Sequence, residues 1–145
     1  MQRIVVDTNV LVSAIIQRSY PYLIINKFFS EEEIEVCISD EVMKEYYEVL
    51  NRKKFARYPD FVSKAETLLA KIEAKAKSFS PKIKLKVIGD LDDNKFLELA
   101  AESKAHYLIT GNTNDFTMKT YKRTRIVTPK EYWEEYRNKL SRWKH

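Results

Sequence analysis

The strongest constraint on this chain is a repeated pattern: short apolar runs that stop at polar or acidic residues, each followed by a helical stripe. Ile4-Val5-Val6 ends at Asp7-Thr8-Asn9. Consecutive apolar positions fit a strand covered on both faces, as in a parallel sheet. Glu35 to Ser39 reads as a second strand, His106 to Thr110 as another, and Arg125 to Thr128 as a short last one. Helices are predicted from Val10 to Gln17 and from Pro21 to Phe29, the second with proline in its first turn. A third opens at Ser39 or Asp40 and reaches Asn51, with Val42, Tyr46, Val49 and Leu50 as its stripe. A longer one spans Asp60 to Lys77 on Phe61, Ala65, Leu68, Leu69 and Ile72. Asp93 to Ser103 follows, on Phe96, Leu97, Ala100 and Ala101. Ser80 to Val87 is lysine-rich and reads as loop or edge strand. Thr128-Pro129-Lys130-Glu131 has the residues of a capping box and starts a helix running to near Asn138. Strands alternating with helices predict an α/β fold, a three-layer α/β/α sandwich with a central parallel sheet, in one domain over residues 1–145.

Composition narrows the chemistry. Hydrophobic residues make up 44% of 145, enough for a core, and no apolar run is long enough for a membrane span. The opening residues lack a signal peptide's apolar stretch, and Cys37 has no partner for an internal disulfide. A reducing, cytoplasmic setting is expected. The net charge of +5 is uneven, since residues 117–145 carry nine Lys/Arg against three Asp/Glu. A basic surface suits a polyanion. One cysteine and two histidines leave few candidates for nucleophilic catalysis, and both Cys37 and His106 read as structural.

The acidic residues are placed for other work. In open parallel sheets, ligands bind beyond the carboxyl ends of the strands. Asp7 follows the first strand there, Asp40 the second, and Asn112 and Asp115 the Tyr107-Leu108-Ile109 strand. Asp93 lies three, four and seven residues before Phe96, Leu97 and Ala100, which puts it on the inward face of its helix, with Asp92 as a candidate cap. Glu45 lies at the margin of its stripe, three after Val42 and four before Val49. Carboxylates sharing a crevice repel each other, and Mg²⁺ or Mn²⁺ relieves that repulsion while activating water against a phosphodiester.

Four blocks carry a family resemblance. They are Ile4-Val-Val-Asp7-Thr8-Asn9-Val10-Leu-Val-Ser13, Ser39 to Arg52 around Glu45, Asp90 to Ala100 around Asp92-Asp93, and Tyr107-Leu-Ile-Thr110-Gly111-Asn112-Thr-Asn-Asp115-Phe116. In this order they resemble PIN domains, and Ile126-Val-Thr-Pro129-Lys-Glu-Tyr is similar to the last strand and helix of the toxin group of toxin–antitoxin systems, the VapC-like members. The resemblance implies an endoribonuclease that hydrolyses RNA with metal-activated water, using Mg²⁺ or Mn²⁺. It also implies a homodimer neutralised by a small antitoxin. Carried over position by position, the catalytic and metal-binding acids are Asp7, Glu45, Asp93 and Asp115. Thr8 or Asn9 would support Asp7 by hydrogen bonds, and Thr110 would line the site. One departure is Asn112, where many members have an acid. Either Asp115 supplies the fourth carboxylate or the site has three acids and an amide.

Two rivals follow from the residues. An aspartyl-phosphate phosphatase also begins strand-then-aspartate, but needs a second acid where this chain has Asn9. A catalytically weak RNA- or partner-binding PIN module is the alternative that Asn112 raises.

Overall fold

The computed structural model describes residues 1–82, 91–111 and 119–137, with the backbone alone for Leu91, Asp92, Asp93 and Tyr136. Strand β1 (Gln2–Val6) leads into helices α1 (Thr8–Ile16) and α2 (Tyr20–Ser30), then strand β2 (Ile34–Ile38) and helix α3 (Asp40–Leu50). A 3-10 turn at Lys53–Phe55 precedes helix α4 (Phe61–Lys75) and strand β3 (Lys77–Ser78). Helix α5 (Leu91–Ser103), strands β4 (Tyr107–Ile109), β5 (Thr120–Tyr121) and β6 (Thr124–Val127), and helix α6 (Pro129–Glu131) follow.

Among the described residues the sheet has six strands in the order β3-β2-β1-β4-β6-β5. Every neighbouring pair is parallel except β5 with β6. Ile4, Val5 and Val6 are all buried, as a central strand covered on both faces must be. Two adjacent residues show what covers each face. Arg3 donates from Nη1 to the Ser103 carbonyl at the end of α5, at 2.9 Å. Gln2, pointing the other way, accepts the Tyr132 hydroxyl, while Tyr20 of α2 reaches Glu134 in the same turn. So α5 covers one face and α2 with the Tyr132 segment covers the other, giving the α/β sandwich. Lys75 donates to the carbonyls of Phe28 and Glu31, tying α4 to α2.

The expected elements are found with ends shifted by up to two residues, and the edges of the sheet differ more. The helix predicted to Lys77 stops at Lys75, because Lys77 and Ser78 leave it to pair with Cys37 and Ile38. The edge strand therefore precedes the 80–87 segment, of which residues 83–87 lie outside the described residues. The antiparallel edge strand β5 adds to the parallel sheet that the sequence predicts. Its turn bears Lys122 in the left-handed region, φ 52°, with no glycine to mark it. The last helix has its capping box, with Thr128 Oγ1 accepting from the Glu131 amide at 3.1 Å and Glu131 accepting from the Thr128 amide at 3.0 Å. It then widens into a π-helical turn over Tyr132–Tyr136 rather than continuing as α-helix, and Asn138 lies outside the described residues. The widening begins at Tyr132, whose ring is fully buried edge-on against Tyr107.

Candidate active site at the carboxyl ends of the strands

The end of β1 is fixed by two neighbours. The Asp7 amide donates to the Ile109 carbonyl of β4 at 2.9 Å, and the Tyr46 hydroxyl of α3 donates to the Val6 carbonyl at 2.5 Å. Tyr46 is read from the sequence as part of an apolar stripe. It is wholly buried, and its hydroxyl also ties α3 to the last residue of β1. The next residue on each side is acidic, so Asp7 and Glu45 come to the same place.

Asp7 is 4% exposed and accepts the Thr110 hydroxyl on Oδ2 at 2.7 Å. It stands at the cap position of α1, where the first-turn amides of Thr8 and Asn9 face its carboxylate without closing a full side-chain capping bond. Burial raises its pKa most. The Thr110 hydroxyl opposes that, the charge of Glu45 raises it again, and the Asn9 and Thr8 amides lower it. The net shift is upward: this carboxylate is held where its charge is disfavoured.

Glu45 has both oxygens engaged. Oε2 accepts the Thr8 hydroxyl, and Oε1 pairs with the Lys95 ammonium at 3.0 Å, with the two side chains 18% and 20% exposed. The Thr8 hydroxyl serves Glu45, while its backbone amide, like that of Asn9, supports the Asp7 carboxylate.

The structure thus brings Asp7, Thr8, Thr110 and Glu45 together, with Asn9 adjoining through its backbone. Asp92 and Asp93 lie in the first turn of α5, and their side chains lie outside what is described. Asn112 and Asp115 lie outside the described residues. Among the described residues no group of three metal-binding side chains assembles. The pair that does meet suits a divalent ion chemically, since both members offer carboxylate oxygens and their charges oppose each other.

Three polar side chains near this edge or on its helices are absent from the sequence reading. Lys95 is one; a lone lysine in a helix rich in charge gives no signal by itself. Asn94 and Glu98 are the others, 2% and 7% exposed, both with partners. Their i, i+4 spacing places them on one face of α5, a polar pair within a mostly apolar surface. Cys37 is buried as expected, and burial pushes its thiol up to about 11. His106 is structural: its Nδ1 accepts the Arg3 amide at 2.9 Å, beside the sheet bond from its own amide to the Arg3 carbonyl.

Comparison with known proteins bears on the family and the fold. The uncharacterized protein MJ1680 of Methanocaldococcus jannaschii is 29% identical over 148 residues, spanning 96% of this chain and 94% of that protein. A chain in the crystal structure of VapBC2 from Rickettsia felis, bound to a DNA fragment from their promoter, has a similar fold. Its TM-score is 0.56 at 17% identity, covering 88% of this chain and 98% of that one. The PIN domain family model matches residues 3–114, a stretch that holds Asp7, Glu45, Asp93, Thr110 and Asn112 and stops one residue short of Asp115. The chain belongs to the PIN domain family.

Proposed function

We propose that this protein is a divalent-metal-dependent endoribonuclease, the toxin of a type II toxin–antitoxin pair, acting in the cytoplasm as a homodimer. PIN domains are generally nucleases, and the observation that carries the reading further is the meeting of Asp7 and Glu45 at the carboxyl edge of the sheet. Asp7 is held by Thr110, and Glu45 by Thr8 and Lys95, so both carboxylates are fixed where the strands end.

The chain's own residues do the following. Thr110 fixes the Asp7 carboxylate by its 2.7 Å hydrogen bond to Oδ2. Thr8 fixes Glu45 from the first turn of α1. Asp93 and Asp115 are the proposed third and fourth acids, on the sequence blocks that carry them. Lys95 is a cation at the same crevice, suited to the charge that develops on a phosphodiester during hydrolysis. When bound, Mg²⁺ or Mn²⁺ offsets the repulsion between the carboxylates, activates water and supports the leaving oxygen. The antitoxin partner rests on the resemblance to the VapC-like group and on a likeness of fold to a chain from a VapBC complex.

The test is cleavage of a mixed single-stranded and structured RNA pool by pure protein with Mg²⁺, with Mn²⁺ and with EDTA. The expected result is metal-dependent cutting that Asp7→Asn and Asp93→Asn each abolish with the fold retained. Unchanged cutting in both variants removes the site assignment. Tight RNA binding with no cutting under either metal favours the non-catalytic module that Asn112 suggests.

A further inference from the structure

We propose that Lys95 is a positioning residue: a built-in cation that occupies Glu45 in the metal-free protein and competes with the divalent ion for it. The proposal rests on the metal-dependent reading above and goes beyond it by saying what sets the affinity.

Three observations support it. Both oxygens of Glu45 have partners, one the Thr8 hydroxyl and one the Lys95 ammonium at 3.0 Å. The Glu45 and Lys95 side chains are each about four-fifths covered, which makes their attraction stronger than that of a solvated surface pair. Finally, the two partners come from different elements that converge on the site. Glu45 is on α3, beside the Tyr46 anchor, and Lys95 is in α5, two residues after Asp93.

The consequence follows from charge. A divalent ion drawn to Asp7 and Glu45 meets a resident ammonium that holds Oε1 and repels a second cation. Binding the ion requires Lys95 to release that oxygen. The released ammonium stays tethered by its helix at the edge where a phosphate arrives. Lys95 thus weakens the empty site's hold on metal, and in exchange keeps the acidic crevice from standing uncompensated.

The test is Mn²⁺ binding to the pure protein by isothermal titration calorimetry, which reads affinity without RNA or turnover. The set is wild type, Lys95→Met, Lys95→Gln, Lys95→Arg and Asp7→Asn, each checked for folding by its melting curve. Lys95→Met and Lys95→Gln are expected to bind Mn²⁺ about three- to tenfold more tightly than wild type. Lys95→Arg keeps the charge and stays near wild type, while Asp7→Asn loses binding. Mn²⁺ binding detected only once Lys95 is neutralised also supports the proposal. Equal or weaker binding in both neutral variants, with Asp7→Asn still defective, overturns the role of Lys95 and leaves the metal site standing. No Mn²⁺ binding in wild type or in either neutral variant overturns both.

Discussion

Asp7 is a carboxylate placed where its charge is unfavourable, and that has a measurable consequence apart from catalysis. Burial, reinforced by the charge of Glu45, raises its pKa above the ordinary 3.8. A raised carboxylate binds its proton more tightly in the folded state, so the metal-free protein loses stability as pH rises from 3.8 through the folded pKa. Above the folded pKa that loss is complete. Asp7→Asn removes the charge and keeps an oxygen to accept the Thr110 hydroxyl. The variant is therefore expected to be more stable than wild type in EDTA, by about 1 kcal/mol, while losing cleavage. Thermal melts at pH 7 check this, and a variant that melts lower than wild type contradicts it. The position of Asp7 was legible from sequence because a run of three apolar residues ends there at the edge where parallel sheets bind ligands. The Lys95 pairing was not legible, since it joins residues 50 apart through two helices whose relative rotation no periodicity specifies.

At the scale of elements, the site depends on how α3 is joined to β1. Tyr46 makes that joint, with its ring in the core and its hydroxyl on the last carbonyl of the strand. Tyr46→Phe keeps the ring and removes one buried hydrogen bond, so it is expected to destabilise by about 1–2 kcal/mol. Because Glu45 is the preceding residue, the variant should also weaken Mn²⁺ binding. Denaturant unfolding and metal titration on the same preparation separate the two effects, and loss of neither removes the anchor.

A second joint, between β1 and β4, is pH-sensitive. Burial lowers the His106 pKa from its ordinary 6.5, and the Arg3 amide needs the Nδ1 lone pair that protonation removes. The folded state then binds the proton less readily than the unfolded chain. Stability should fall as pH drops below about 6.5 toward the folded pKa. His106→Asn, which can still offer an oxygen to Arg3, should flatten the fall of melting temperature as pH drops below about 6.5. An unchanged slope assigns the acid sensitivity elsewhere. Elements like these were legible where their residues speak locally, as Thr128, Pro129 and Glu131 do for a helix start. The edge strands Lys77–Ser78 and Thr120–Tyr121 were not, because two polar residues have no period and exist as strands only by pairing with β2 and β6.

At the scale of the whole molecule, the described residues put an acidic pair and a basic cluster at opposite ends of the sheet. Asp7 and Glu45 stand at the carboxyl ends of the strands. At the other end, Lys104, Lys122 and Arg123 surround a cleft of about 200 Å³ where β6 starts beside the Ala105 carbonyl. Where no divalent ion is bound, the Asp7 charge is expected to oppose a polyanion at the proposed active edge, while the basic cluster at the other end favours one. This gives a prediction with opposite signs under two conditions. In EDTA, Asp7→Asn should bind single-stranded RNA somewhat more tightly than wild type, because one negative charge has left the edge. With Mn²⁺ present, the order should reverse, because the variant no longer holds the ion that makes that edge attractive. Both bindings should weaken as salt rises, with a slope of about −0.7 per phosphate engaged. Fluorescence anisotropy with a non-hydrolysable RNA analogue measures all of these values. The same order of affinities with and without Mn²⁺ would mean that RNA does not approach the Asp7 edge, and that the basic end alone accounts for its binding.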